Sequence, residues 1–129
     1  MKQFDSNGDI FETWSYHGIE ILIRKSDRYV NATKLCSQFE TRNGNHKKFR
    51  HLLENSSWKE FYHEFSSEYE KNVFAGKAAD RILIDDCMQT YSNQCRGYYI
   101  HPELVNDVTI WGSPKYAVYV SKINGSIEW

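Results

Sequence analysis

An α+β fold is predicted from three features of the sequence. Apolar and polar residues alternate with period two through 11–30, and strand-like apolar runs return at 82–84 and 98–100. Apolar residues recur at helical spacing between 31 and 69. Pro follows a polar cap at His101-Pro102 and again at Ser113-Pro114, the first helical position that Pro favours. The chain has 129 residues, 40% hydrophobic and 16% aromatic, enough to bury one core, and no repeat or composition shift divides it. The expected order is an N-terminal antiparallel β meander, a helix-turn-helix-like helix pair, a β-hairpin and two C-terminal helices, in a single domain over 1–129.

Residues 1–10 read as a loose lead-in with a turn at Asn7-Gly8. Phe11 to Tyr16 is a first strand and His17-Gly18 a tight turn. In 19–25, Ile19, Ile21 and Ile23 alternate with Glu20, Leu22 and Arg24, as in a strand. Ser26-Asp27 turns the chain and Arg28 to Val30 returns. Asn31 caps a helix from Ala32, because its side-chain oxygen can accept from a free first-turn N–H. Leu35, Cys36 and Phe39 form the inner stripe of that helix.

Asn45 is the expected cap of a second helix at 46–54, in which Phe49, Leu52 and Leu53 share a face. Helix, Gly44-containing turn, helix is the outline of a helix-turn-helix. Ser57-Trp58-Lys59-Glu60 matches a capping box and opens a helix from Trp58 to about Tyr69. Its stripe of Trp58, Phe61, Tyr62, Phe65 and Tyr69 is assigned to the core. Residues 71–80 read as a loop, and 81–100 as a β-hairpin with an exposed polar tip. Leu104, Val105, Val108 and Trp111 face inward in the next helix. Ala117, Val118 and Ser121 do so in the last, with Gly125 as its terminator.

The formal net charge is −1, so any electrostatic function must be local. Arg42 to His51 reads R-N-G-N-H-K-K-F-R-H, with Arg42, Lys47, Lys48 and Arg50, two histidines and no acid. A short helix that is cationic on one side suits phosphates and the major groove. It equally suits a solvated basic face. Glu54, Glu60, Glu64, Glu68 and Glu70 follow, an acidic segment that could shield an opposite side. Imidazoles gain charge below about pH 6.5, so His46 and His51 give an expected strengthening of anion binding on acidification.

Three cysteines, Cys36, Cys87 and Cys95, form no C-x-x-C pair, so free thiols in an intracellular protein are expected, with neither metal nor cofactor. No apolar run approaches a membrane span, and M-K-Q-F-D-S-N-G-D has no apolar signal core. The P-loop, G-x-G-x-x-G, G-x-S-x-G and H-E-x-x-H motifs are absent. Asp85-Asp86 could hold magnesium for a nuclease, but neighbours on a strand point to opposite faces. The chain is therefore not expected to be an enzyme.

Tyr29-Val30-Asn31-Ala32-Thr33-Lys34-Leu35-Cys36 resembles the opening motif of the KilA-N domain of phage and large DNA virus proteins, including those of poxviruses. Gly97-Tyr98-Tyr99-Ile100-His101-Pro102-Glu103-Leu104-Val105, then Ile110-Trp111-Gly112-Ser113-Pro114-Lys115-Tyr116-Ala117, resembles its closing motif. The basic Lys47-Lys48-Phe49-Arg50-His51 lies between them. The pattern also looks like the fungal APSES DNA-binding domain, a relative of KilA-N. The resemblance covers about residues 13–123.

The resemblance implies a winged helix-turn-helix-like unit that binds double-stranded DNA without catalysis, in a host cytoplasm (viral factories) or nucleus. The second helix, with Lys47, Lys48, Arg50 and His51, would approach the DNA, preceded by Arg42, Asn43 and His46. The hairpin 81–100 would be the wing, with Gln94 and Arg96 near its tip and Lys77 in the loop before it. Arg50 could pair with guanine and Asn43 with adenine, although phosphate-positioning residues dominate. The alternative is a protein-interaction module that kept the fold without DNA binding; a protein partner or a homodimer is open in either case. Three cysteines cannot supply the ligands of the RING module that follows such domains in some poxvirus ubiquitin ligases. A stand-alone member or an excised domain is expected.

Overall fold

The computed structural model describes residues 2–39, 47–72 (side chains to 68) and 83–118. The chain opens with a strand, β1 (Lys2–Ser6), where the sequence suggested a loose lead-in. Asn7 and Gly8 take φ of 48° and 85°, the paired left-handed conformation of a two-residue hairpin turn, and β1 pairs antiparallel with β2 (Asp9–Tyr16). His17 and Gly18 repeat that turn at 49° and 80° and lead into β3 (Ile19–Arg24). After a turn through Arg28, β4 (Val30–Asn31) enters α1 (Ala32–Ser37). Then come α2 (Phe49–Glu54), α3 (Ser56–Asn72), β5 (Ile84–Cys87) and β6 (Gly97–Ile100). A 3₁₀ turn (Pro102–Leu104), α4 (Val105–Gly112) and a helical stretch at 114–118 complete the described chain.

The meander and the hairpin are one sheet, not two. Six antiparallel strands lie in the order β1-β2-β3-β4-β6-β5, joined where Val30 meets Ile100 and Asn31 meets Tyr99. Period two then sorts the residues. Ile23, Val30, Ile100 and Ile84 stand in register across four strands on one face. The helices cover that face, and Leu35, Cys36, Phe39, Phe49, Leu52, Trp58, Leu104, Val105, Val108 and Tyr116 close the main core. Asn31, Tyr99 and Asp85 stand in register on the other face. A second, smaller core forms around Phe11, Leu22, Tyr29, Cys87, Cys95 and Tyr99.

The turn between β5 and β6 folds back over this second core. The Tyr91 ring meets Phe11 edge-on at 4.8 Å, and Cys95 is fully buried. The tip expected to be exposed is so at Gln89, Thr90, Ser92, Asn93, Gln94 and Arg96, while Tyr91 is half-buried and Cys95 buried.

Helix boundaries shift where tertiary contacts decide them. The expected helix at 46–54 begins at Phe49. Lys48 is extended, with φ −119° and ψ 126°, and the Lys47 N–H donates to Phe39 O at 3.0 Å. That bond holds Lys47 in a connection rather than a first turn. Asn45, the expected cap, lies outside the described residues. Asn55 caps α3 in place of Ser57, accepting from the Trp58 N–H at 3.1 Å. Of the aromatic stripe, Trp58 is buried, Tyr62 and Phe65 pack against the core, and Phe61 stays 37% exposed. Ser113 caps the last helical stretch, accepting from the Tyr116 N–H at 3.3 Å. There Ala117 and Tyr116 turn inward and Val118 faces out, contrary to expectation, because the Tyr116 hydroxyl reaches Tyr16 O at 3.0 Å. Ser121, Gly125 and the side chain of Tyr69 lie outside the described residues.

All three thiols are buried and free. Burial pushes the Cys36 thiol up to about 12 and Cys87 to about 11. Burial likewise carries Tyr116 to about 12, and burial followed by the Asp9 contact carries Tyr91 to about 12. These groups favour the fold while neutral. Their contribution is full below their ordinary values of 9.0 for Cys and 10.0 for Tyr. It is lost as pH rises through the folded values of about 11 to 12. The urea midpoint is expected to fall from about pH 9 upward because of these groups. A midpoint that rises above pH 10 would contradict the burial described here.

Candidate nucleic-acid interface

The candidate site is built around Asn31, whose side chain is fully buried. Its Oδ1 accepts from the Lys34 N–H at 2.9 Å and so caps α1. Its Nδ2 donates to Cys95 O at 3.3 Å and Arg96 O at 3.0 Å. One amide thus joins the first turn of α1 to the chain entering β6. Gly97 makes the close approach feasible: a Cβ there would lie 2.4 Å from Asn31 Oδ1, and its φ of +153° suits glycine. The Tyr98 N–H donates to Thr33 Oγ1 at 3.0 Å, and Lys34 Nζ donates to Asn93 O at 3.1 Å.

The start of α2 joins the same edge. Phe49 packs its ring against Tyr98 at 5.6 Å, two residues beyond Arg96. Lys48, Arg50 and His51 flank Phe49 and are exposed, as are Gln94 and Arg96. Lys34, half-buried, completes the group. Among the described residues, none of Lys34, Lys48, Arg50 and Arg96 has an ion-pair partner. Four cations thus lie on three elements that touch one another, α1 with the β5–β6 turn through Asn31 and Lys34, and α2 with β6 through Phe49 and Tyr98.

Lys47 differs from its neighbours. Its ammonium lies 4.6 Å from the centroid of the Trp111 ring, a cation–π contact that holds the connection onto α4. Arg42, Asn43, His46 and Lys77 lie outside the described residues. Lys34 was missed among the candidates because nothing local marks it; its only signal is its place three residues after the Asn31 cap.

The carboxylate pair does not gather for chemistry. Asp85 pairs with Arg24 at 3.0 Å on one face of the sheet, and Asp86 accepts from the Met88 N–H at 3.2 Å. Among the described residues, no group of three His, Cys, Asp or Glu side chains could hold a metal ion. With thiols pushed well above neutral pH, the cysteines are poor nucleophiles. No described helix is long and apolar enough to cross a membrane.

Comparison with known proteins agrees with the motifs. Two KilA-N domain-containing proteins of Acanthamoeba polyphaga mimivirus are similar to this chain. One is 32% identical over 112 residues, covering 87% of this chain and 29% of the relative. The other is 34% identical over 106 residues, covering 82% of this chain and 40% of the relative. The chain thus spans well under half the length of these relatives. No solved structure matches. The KilA-N domain itself matches residues 15–128, which takes in every described element from the end of β2 onward, and the chain belongs to the KilA-N domain family.

Proposed function

We propose that this domain binds double-stranded DNA without catalysis, through the edge where α1, α2 and the β5–β6 turn meet. The observation that carries the reading is the set of four cations, Lys34, Lys48, Arg50 and Arg96. Asn31 fixes α1 to the chain entering β6, Phe49 packs the start of α2 on Tyr98, and none of the four cations has a carboxylate partner among the described residues. Lys48, Arg50 and His51 are the helix-side contacts, and Gln94 and Arg96 are the wing contacts. Lys34, on α1, adds a third cationic contact beside the wing turn, where it donates to Asn93 O. Arg42, Asn43, His46 and Lys77 belong to the interface on their sequence positions. Lys47 contributes charge but is held to Trp111, so it is a poor choice for testing DNA contact.

Four to six phosphate contacts give a log–log salt slope of about −4 to −5 by counterion release. Affinity is therefore modest and steep in salt, with phosphates setting register more than sequence. In the infected cell the setting is the host cytoplasm or nucleus, and the longer relatives suggest a DNA-binding part of a larger protein.

Fluorescence anisotropy with a labelled random-sequence duplex, repeated over several salt concentrations, tests the reading. The double reversal Lys48→Glu with Arg50→Glu is expected to keep the fold, since both side chains are exposed. It should weaken binding at least tenfold, roughly 1.4 kcal/mol, and flatten the salt slope. Wild-type protein that fails to bind at low salt overturns the DNA reading and favours a protein partner instead.

A further inference from the structure

We propose that Tyr91 is a positioning residue that holds the wing turn 88–96 in one preordered conformation for DNA, a role that rests on the function proposed above. Tyr91 sits on the back face of the sheet, half-buried. Its hydroxyl donates to Asp9 Oδ2 at 2.6 Å and accepts from Arg24 at 3.2 Å. Its ring meets Phe11 at 4.8 Å and Tyr99 at 5.8 Å, both edge-on. Arg24 in turn is fixed by Asp27 and Asp85.

The rest of the turn is tied as firmly. The Ser92 N–H donates to Ser6 Oγ at 2.9 Å, and the Cys95 and Arg96 N–H groups close back on Ser92 O at 2.9 and 2.8 Å. The Tyr99 hydroxyl and Asn31 Nδ2 both donate to Cys95 O. The side chains of Gln94 and Arg96, by contrast, are exposed and make no hydrogen bond or ion pair among the described residues. An anchored backbone that carries free polar side chains fits a recognition turn. A loop ordered in advance loses less conformational freedom on binding. Edge strand β1 gains a purpose here: its Ser6, and Asp9 of β2 paired with it, hold the turn from that end of the sheet.

The test is Tyr91→Phe, which removes both hydroxyl bonds and keeps the ring on Phe11 and Tyr99. Amide hydrogen exchange at 92–96 is expected to quicken at least tenfold while the rest of the sheet is unchanged. Duplex affinity is expected to fall three- to tenfold at fixed salt. In a Gln94→Ala, Arg96→Ala background the same substitution should cause no further loss, because the wing then has no side chains to position. Asp9→Ala removes the hydroxyl's acceptor from the opposite side and should reproduce the phenotype, which covers the case of a Tyr91 variant that fails to fold. Unchanged exchange, unchanged affinity, or an equal loss in both backgrounds overturns the proposal. Wild-type protein that binds no duplex overturns the DNA reading, and the exchange data then decide separately whether Tyr91 orders the turn.

Discussion

Asn31→Ala is expected to lower folding stability by about 3 kcal/mol, because one fully buried amide serves three backbone groups. Loss of the cap alone costs about 1 kcal/mol. Arg96 O loses its side-chain donor and Cys95 O keeps only that of Tyr99, which together add about 1–3 kcal/mol, reduced where water can enter the space left. Urea unfolding followed by tryptophan fluorescence would measure the loss. Asn31→Asp separates the two roles. Its carboxylate keeps an acceptor for Lys34 but turns negative charge toward Cys95 O and Arg96 O. It should be at least as damaging as alanine at neutral pH. Burial against acceptors raises the introduced carboxyl above its ordinary value of about 3.9. Its stability is therefore regained at low pH, where the protonated group can donate, and lost as pH rises through the raised value. A cost below about 1 kcal/mol for alanine, or an aspartate deficit that grows on acidification, would show that Asn31 does not hold α1 to β6.

The cap at Asn31 was legible because its signal is local: an Asn before a run with helical spacing. The same holds for the His17-Gly18 turn and for the opposite orientation of Asp85 and Asp86, which period two alone decides. β1 was missed although Asn7-Gly8 announced a hairpin. Only Phe4 among Lys2–Ser6 is a large apolar residue, so the strand carries almost no alternation and exists through its pairing with β2. The start of α2 was misplaced by three residues because a bond from Lys47 to Phe39 sets it, and no local pattern encodes that bond. The same contact separates Lys47 from Lys48, which look equivalent in sequence. The basic cluster was thus visible as composition, while the membership of Lys34 and the attachment of Lys47 to Trp111 depend on elements far along the chain. Arg24 illustrates the limit most clearly. In sequence it is the polar member of an alternating strand and reads as solvent-facing; in the fold it is 7% exposed.

Arg24→Met is therefore expected to be costly, at about 2–3 kcal/mol. Burial alone would lower the pKa of the guanidinium. Hydrogen bonds to Asp27, Tyr91 and Asp85 outweigh that and hold it above its ordinary value. The group donates to both oxygens of Asp27 at 3.1 and 2.8 Å and lies 5.4 and 5.0 Å from the centroids of the Tyr29 and Tyr99 rings. Removing one partner of a buried pair typically costs about 3–5 kcal/mol, since the other charge is left behind. The side chain of Asp85 is 33% exposed, so solvent screens part of that penalty and the lower figure applies. A double-mutant cycle with Asp85→Asn isolates the pair, with an expected coupling of about 1 kcal/mol by thermal or urea unfolding. Zero coupling would assign the role to Asp27 alone. Methionine fills a similar volume between the two rings but cannot donate to Tyr91. The variant should therefore quicken exchange at 92–96 as Tyr91→Phe does, and a folded Arg24→Met protein with an unaltered turn would break the link between the second core and the wing.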